Sequence, residues 1–372
     1  MILVWLSCNR EPVLKERDMG RERFFWFFAV LFLVWFAGMR MRYNDTVTYL
    51  NGFANPGYTP NLATFFRTTD YNLSKYWGYS LVKSFLKTIG MDSHMILLSF
   101  TVFYILVYLW FIRKYASDYL PIALFLFMAD GYVMLLAALK QVTATAFALI
   151  AVDALLNRKK VRFALWMFVA FTFHPYVVVL LAAALFIGAK PWSGRTWLFV
   201  LVMGILGLGM EYTANILASF NDVYDTSSIL DHTMNPIRFA VSLVPVLISY
   251  LYRNVLFEDS SKAEDLFANL TVCRTMFYFW ALFGNPIVFA RISNYFDVFN
   301  TLFLAWAIHK LCMKKETADT GAFLKLGMYI GFIGFSFFLN VLGYDFARQT
   351  EHISLSQLAS SFSQWMGVLF GG

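Results

Sequence analysis

Charge is scarce in this sequence. Only 14% of its 372 residues are Asp, Glu, Lys or Arg, against about a quarter in an ordinary soluble domain. That scarcity excludes a typical soluble globule. Cysteine is scarcer still: Cys8, Cys273 and Cys312 stand far apart, with no His or Asp at ligand spacing. They make neither a metal pattern nor an expected disulfide. A Walker loop, a Rossmann glycine pattern, a His-Glu-x-x-His pair and an internal repeat are all missing, so no nucleotide, metal or other cofactor is expected. Basic runs with nucleic-acid spacing are absent too, and the net charge of +7 does not point to nucleic acid. Met1–Ser7 is too short for a signal-peptide core and has no cleavage site; it reads as a small interfacial anchor.

What fills the chain instead is apolar and aromatic. Apolar residues make up 59%, with 41 Phe, 20 Tyr and 11 Trp, a composition that suits membrane spans and their interfacial belts. The expected fold is all-α: one polytopic transmembrane helical bundle over residues 1–372, with about eleven spans. The runs are Phe24–Met39, His94–Ile112, Tyr119–Ala138, Val142–Leu156, Phe163–Phe173, Tyr176–Ala189, Thr196–Met210, Ile237–Tyr252, Val272–Ala290, Ile292–His309 and Phe323–Leu342. Several fall short of the ~20 residues of a simple span. Short neighbours such as Phe163–Phe173 and Tyr176–Ala189 suggest paired helices around a cavity, since irregular backbone at membrane depth survives only inside protein or beside water.

Lys and Arg set the orientation. With the N-terminus inside, the 30 basic residues divide two to one in favour of the inner side. Asn157-Arg158-Lys159-Lys160 and Lys314-Lys315 act as inner anchors, and Arg274 counts with them. The outer side then carries a polar aromatic loop over 43–93, with Asn55-Pro56-Gly57 as its turn and Lys75–Leu86 as an interfacial amphipathic helix. A second outer loop, 211–236, holds Asp222, Asp225, Asp231 and His232. An outer tail, 343–372, includes a possible interfacial helix over Ser354–Phe370.

Polar residues from four parts of the chain converge on this outer face. They are Arg42 with Asp45, Lys140-Gln141, His174-Pro175 and Arg291. A solvated salt bridge would explain the first pair, and Lys140 could snorkel to the interface. His174 could be a hydrogen-bonded structural residue at a helix break, or a base near neutral pH. Arg291 stands between two apolar runs, where a guanidinium fork suits phosphate oxygens. His94, His232, His309 and His352 have no partner pattern and read as structural. Cations together with a base suit a lipid-linked phosphate or diphosphate bearing a polar group such as sugar. The cations would steady the departing diphosphate, and Asp45 or His174 would take the proton of an acceptor hydroxyl. Tyr76, Trp77 and Tyr79 could stack on sugar faces.

At these residues the chain resembles the EpsG family of Wzy-like polysaccharide polymerases. Arg42, Asp45 and Tyr49 match the family's Arg, Asp and Tyr after the first strong span. Gly78-Tyr79 matches its Gly-Tyr, and Lys140-Gln141 takes the place of its Arg-Gln pair. Phe173-His174 matches a Phe-His pair, and Arg291 with Tyr295 a late Arg and Tyr. The ordered set runs over roughly residues 24–310. The resemblance implies a GT-C-like inverting glycosyltransferase in the bacterial inner membrane. It would join undecaprenyl-diphosphate-linked oligosaccharide units into exopolysaccharide, capsule or O-antigen at the outer leaflet, without metal. It implies Arg42, Tyr49, Trp77, Tyr79, Lys140, Gln141, Arg291 and Tyr295 as binding residues, and Asp45 and His174 as catalytic ones. Partners would be the lipid-linked oligosaccharide and the bilayer, with a flippase and a chain-length regulator as further candidates. A ligase or single-sugar transferase using the same donor is the nearest alternative. A flippase for the lipid-linked sugar is another, although it predicts paired repeats that the sequence lacks.

Overall fold

The computed structural model describes residues 18–68, 76–219, 226–231, 233–336 and 351–370. The expected anchor Met1–Ser7, Lys75, Asp222, Asp225, His232 and residues 343–350 of the tail lie outside the described residues. Within them every regular element is helical, and one isolated backbone bridge pairs Arg40 with His352.

The chain opens with α1 (Asp18–Gly38), then α2 (Thr46–Ala54), α3 (Leu62–Thr68), α4 (Trp77–Thr88) and α5 (Ser93–Tyr115). Asp92 starts α5 by accepting from the Met95 N–H at 2.9 Å, which satisfies one of the donors a helix start leaves open. The expected span Tyr119–Ala138 is broken. It becomes a 3-10 turn (Ser117–Tyr119), α6 (Leu120–Leu126), a π turn (Phe127–Gly131) and α7 (Tyr132–Ala137). Ala138 then leaves helical geometry (φ −128°, ψ 73°) and α8 (Leu139–Leu156) begins, three residues earlier than the apolar run suggested. Hydropathy registers the apolar run but not the change of hydrogen-bond pattern inside it.

Helix α9 (Lys160–Phe173) follows, then a 3-10 helix (Pro175–Leu181) leading into α10 (Ala182–Phe186), α11 (Gly194–Leu208) and α12 (Met210–Ser219). The chain turns by 91° between α11 and α12, at Gly209. After α13 (Thr226–Leu230) and α14 (Pro236–Leu251) come α15 (Arg253–Leu256) and α16 (Lys262–Trp280). Ser261 and Glu264 close a reciprocal capping box at the start of α16. Here the expected span Val272–Ala290 is corrected. Helix α16 starts ten residues sooner and ends at Trp280, and Asn285-Pro286 opens a separate α17 (Pro286–Ser293). Arg274 is corrected with it. Far from anchoring an inner loop, its Nε lies 2.6 Å from Asp297 Oδ1, both side chains largely buried. A 3-10 turn (Asn294–Phe296) leads to α18 (Asp297–Met313), α19 (Ala318–Ser336) and α20 (Leu355–Phe370).

The main core gathers around α5, α8 and α18. Helix α8 suits a central place because Ala144, Ala146, Ala148 and Ala151 are fully buried and small enough for α9 and α5 to approach closely. Its Thr143 and Thr145 hydroxyls donate back to Leu139 O and Gln141 O at 2.7 and 2.9 Å, which makes them tolerable in apolar surroundings. A smaller cluster, with Met203, Met210, Trp280 and Phe289, joins α11, α12, α16 and α17. Among the described residues, α5 and α8 have the length and apolarity to cross a membrane, and α11 with α12 would be a third as one bent span. The protein is a helical membrane protein.

Candidate functional site

The site is made by breaks in helices. Proline at 175 cannot continue α9, and it restricts the residue before it to extended backbone. His174 accordingly leaves the helix at φ −155°, ψ 105°. Its ring swings towards Tyr295, and the Tyr295 hydroxyl and His174 Nδ1 share a hydrogen bond. Tyr295 is buried on the 3-10 turn after α17. The imidazole also packs at 5.3 Å from the Tyr76 ring and 5.5 Å from Tyr176.

Helix α8 contributes from its first turn. The Lys140 ammonium sits 4.2 Å from the centre of the Tyr76 ring and 5.8 Å from that of Tyr79, within the range of a cation–π attraction. Beside it, Gln141 Nε2 donates to Arg291 O at 2.7 Å, so the start of α8 and the end of α17 are tied together. The Arg291 side chain is exposed, yet its charge reaches His174.

Helix α4 supplies the tyrosines. It lies close against α9 because residue 78 is glycine; any side chain there would overlap Thr172. This approach sets Tyr76 and Tyr79 beside the end of α9. Tyr76 takes a left-handed conformation (φ 58°), as do Tyr43 (φ 108°) and Asn44 (φ 46°) between α1 and α2. Non-glycine residues adopt such backbone at a cost of about 1–3 kcal/mol, and it concentrates at functional sites. Tyr79 is buried against Tyr49, Phe53 and Phe100. The Tyr49 hydroxyl bonds to the Lys140 backbone, and burial, followed by the Asp45 charge, pushes it up to about 12. Asp45 is half-buried at the start of α2, where it caps no helix N–H, and its charge reaches Lys140.

Electrostatics favour a neutral imidazole. Burial, then the positive charges of Lys140 and Arg291, pull His174 down to about 3. The site therefore combines fixed cations, one carboxylate and an uncharged histidine anchored at one nitrogen.

Lys140, His174, Tyr295, Tyr49 and Tyr79 come together, with Asp45 in electrostatic reach and Gln141 and Arg291 joined at the edge. Arg42 and Trp77 go elsewhere. Arg42 Nε pairs with Glu351 Oε2 at 3.1 Å, its side chain 62% exposed, and Trp77 packs on Phe168 of α9. The buried arginine is Arg40, only 1% exposed. It donates to Thr46 Oγ1 at 3.0 Å and to Ala37 O, and its charge reaches Tyr49. Two arginines two residues apart look alike in sequence, and only the turn after α1 separates them. Lys83 was also missed. It lies 5.7 Å from the Tyr79 ring, and burial, then Lys140, lowers it to about 8. The signal was its place one helical turn after Tyr79.

The pattern of the EpsG family matches residues 23–351, most of the chain. That match carries a general role in polysaccharide polymerisation, as a membrane glycosyltransferase-like protein acting on lipid-linked sugar. No curated protein and no solved structure matches the chain.

Proposed function

The chain belongs to the EpsG family, and we propose that it polymerises undecaprenyl-diphosphate-linked oligosaccharide repeat units at the outer leaflet of the bacterial inner membrane. The observation that carries this reading is the meeting of Lys140 and His174 on one ring, Tyr76, at 4.2 and 5.3 Å. Helix starts and ends far apart in sequence would not bring a cation and an imidazole to one tyrosine for packing alone.

In the proposed reaction the hydroxyl of an incoming unit attacks the anomeric carbon of the growing chain from the face opposite the lipid. The new glycosidic C–O bond forms as the C–O bond to the diphosphate breaks, so the configuration inverts. Lys140 and Arg291 take up the charge developing on the departing lipid diphosphate. Asp45 receives the hydroxyl proton. His174 is the weaker base here, since its protonation would add a third positive charge beside Lys140 and Arg291. It instead holds a neutral hydrogen-bonding position, fixed through Tyr295. Tyr49 and Tyr79 line the sugar side. This chemistry involves no metal and resembles that of GT-C enzymes. The eleven-span bundle with its N-terminus inside, the outer segments 43–93, 211–236 and 343–372, and service by a flippase and a chain-length regulator belong to the same proposal.

The test is direct. Purified protein in lipid receives undecaprenyl-diphosphate oligosaccharide with neither nucleotide sugar nor added metal, and products are resolved on a gel. A ladder with release of undecaprenyl diphosphate is expected, and Lys140→Ala should abolish it with normal membrane levels. A single-unit product would identify a ligase or single-sugar transferase. Movement of intact substrate across the bilayer would identify a flippase.

A further inference from the structure

The family match stops at residue 351, and the residues just beyond it build a second polar hollow. Helix α20 carries no charged residue. Ser356, Gln357, Ser360, Ser361 and Gln364 recur at helical spacing and share one face. Leu355, Phe362, Met366 and Leu369 share the opposite face and are exposed. The polar face lines a cavity of about 380 Å³, and His94 at the start of α5 lines it as well.

The rest of the lining is Met41 and Ile353, so among the described residues no Lys, Arg, Asp or Glu borders this hollow. The absence matters. A diphosphate would find no cation here, and a charged peptide no counter-ion. What the walls offer is a row of hydroxyls and amides that both donate and accept, running about 12 Å along the helix at 1.5 Å per residue. Among the described residues, Ser360, Ser361 and Gln364 have no internal hydrogen-bond partner. His94 Nδ1 is buried and unpartnered among them too. Burial without a partner leaves His94 with an unmet hydrogen-bonding capacity.

The wall is also fixed in place. Trp365 Nε1 donates to Ile89 O at 3.0 Å. Ile353 N donates to Met39 O at 2.9 Å. Ser354 and Gln357 cap α20 by bonding to each other's backbone N–H at 3.2 and 2.8 Å.

We propose that the hollow between α20 and His94 is a subsite for uncharged sugar residues of the glycan, separate from the Lys140–His174 cluster that takes the lipid diphosphate. Naming the glycan as ligand rests on the polymerase reading; the neutral polyhydroxyl chemistry does not. Because this wall lies beyond the family match, the subsite would also be where this chain recognises its own sugar rather than lipid-linked sugars in general.

The experiment uses the full chain in lipid discs, with mild-acid fragments of the host's own surface glycan as probe, read by hydrogen exchange. Fragments should protect residues 355–366, and undecaprenyl diphosphate alone should not. Ser360→Leu combined with Gln364→Leu should weaken fragment binding about tenfold, as expected for one or two lost hydrogen bonds, and should shorten the polymer ladder. Both positions are accessible on α20, so the fold should tolerate the change, and an unaltered melting temperature would verify it. Protection by the lipid diphosphate alone, or fragment binding unchanged in the double variant, would overturn the subsite. Fragment binding lost in the variant, together with no ladder from wild type, would keep the subsite and sink the polymerase reading. A normal ladder without fragment protection would do the reverse.

Discussion

At Asn285-Pro286 and at His174-Pro175 the chain begins a new helix with a proline, directly after α9 at Pro175 and after a short turn beyond Trp280 at Pro286. Both residues before the proline take extended backbone, ψ 118° and 105°, as the proline ring demands. Asn285 uses its whole side chain locally: Oδ1 accepts from Ile287 N, and Nδ2 donates to Ser228 O, each at 2.9 Å. His174 caps nothing in its own helix. Its ring goes instead to Tyr295, Tyr76 and Tyr176. Two breaks with the same backbone rule thus differ in where the side chain is committed. The one that forgoes the cap is the one surrounded by Lys140 and Arg291.

The sharpest way to break this comparison is to write one break into the other. His174→Asn supplies a residue able to cap the following helix as Asn285 does. Thermal stability in lipid should hold or rise, while polymer output on a gel falls on the order of a hundredfold or more, as for loss of a catalytic proton-handling or positioning group. Undiminished polymer would show that the missing cap at His174 has no functional meaning.

Proton linkage gives the next largest effect. Burial depresses His174 in the folded protein to about 3, below the ~6.5 of an unfolded chain. The unfolded chain therefore binds the proton first. This contribution to stability is complete above pH ~6.5 and falls away towards pH 3, by about 2 kcal/mol between pH 6.5 and 5. Melting wild type and His174→Asn across that window should show the wild type losing more. Parallel curves would count against a buried neutral imidazole.

Tyr295→Phe keeps the ring and removes only the anchor of Nδ1. Turnover should fall about tenfold, the worth of a single hydrogen bond of good geometry, with little change in KM for the lipid donor. An unaltered rate would mean that His174 needs no orientation from Tyr295. The smallest effect belongs to the other break. Asn285→Ala should cost about 1 kcal/mol of stability, the usual worth of a cap, and leave the ladder intact. A lost ladder there would erase the distinction between the two prolines.

The positions of these breaks were only partly legible. Pro175 marked the end of α9 from sequence, because proline acts on its own neighbours. Asn285-Pro286 passed unnoticed, since Phe283 and Ile287 on either side are apolar and the run reads as one span. Ala138 was legible as the end of a run, because Lys140-Gln141 interrupts the apolar sequence, whereas the π turn at Phe127–Gly131 inside that run carried no signal. For the site, residue type and order sufficed to collect Lys140, His174, Arg291 and Tyr295. They singled out Arg42, whereas the structure buries Arg40, because burial there depends on Glu351 and His352, some three hundred positions on. Tyr76 drew notice only as a possible sugar platform. Its place between a lysine and a histidine depends on Gly78 lying flat on Thr172.

The bridge between Arg40 and His352 also bears on how the protein is made. Ile353 N donates to Met39 O at 2.9 Å and Met41 N to Glu351 O at 2.5 Å, so residues on either side of the first helix's exit are stitched to a segment translated some three hundred positions later. The loop that carries Asp45 therefore stays open on its outer edge while the ribosome works through everything between. A chain stalled at residue 340 would hold Lys140, His174 and Tyr295 and still lack that seam. The turn that leads to Asp45 is therefore closed only after all the helices between have been made.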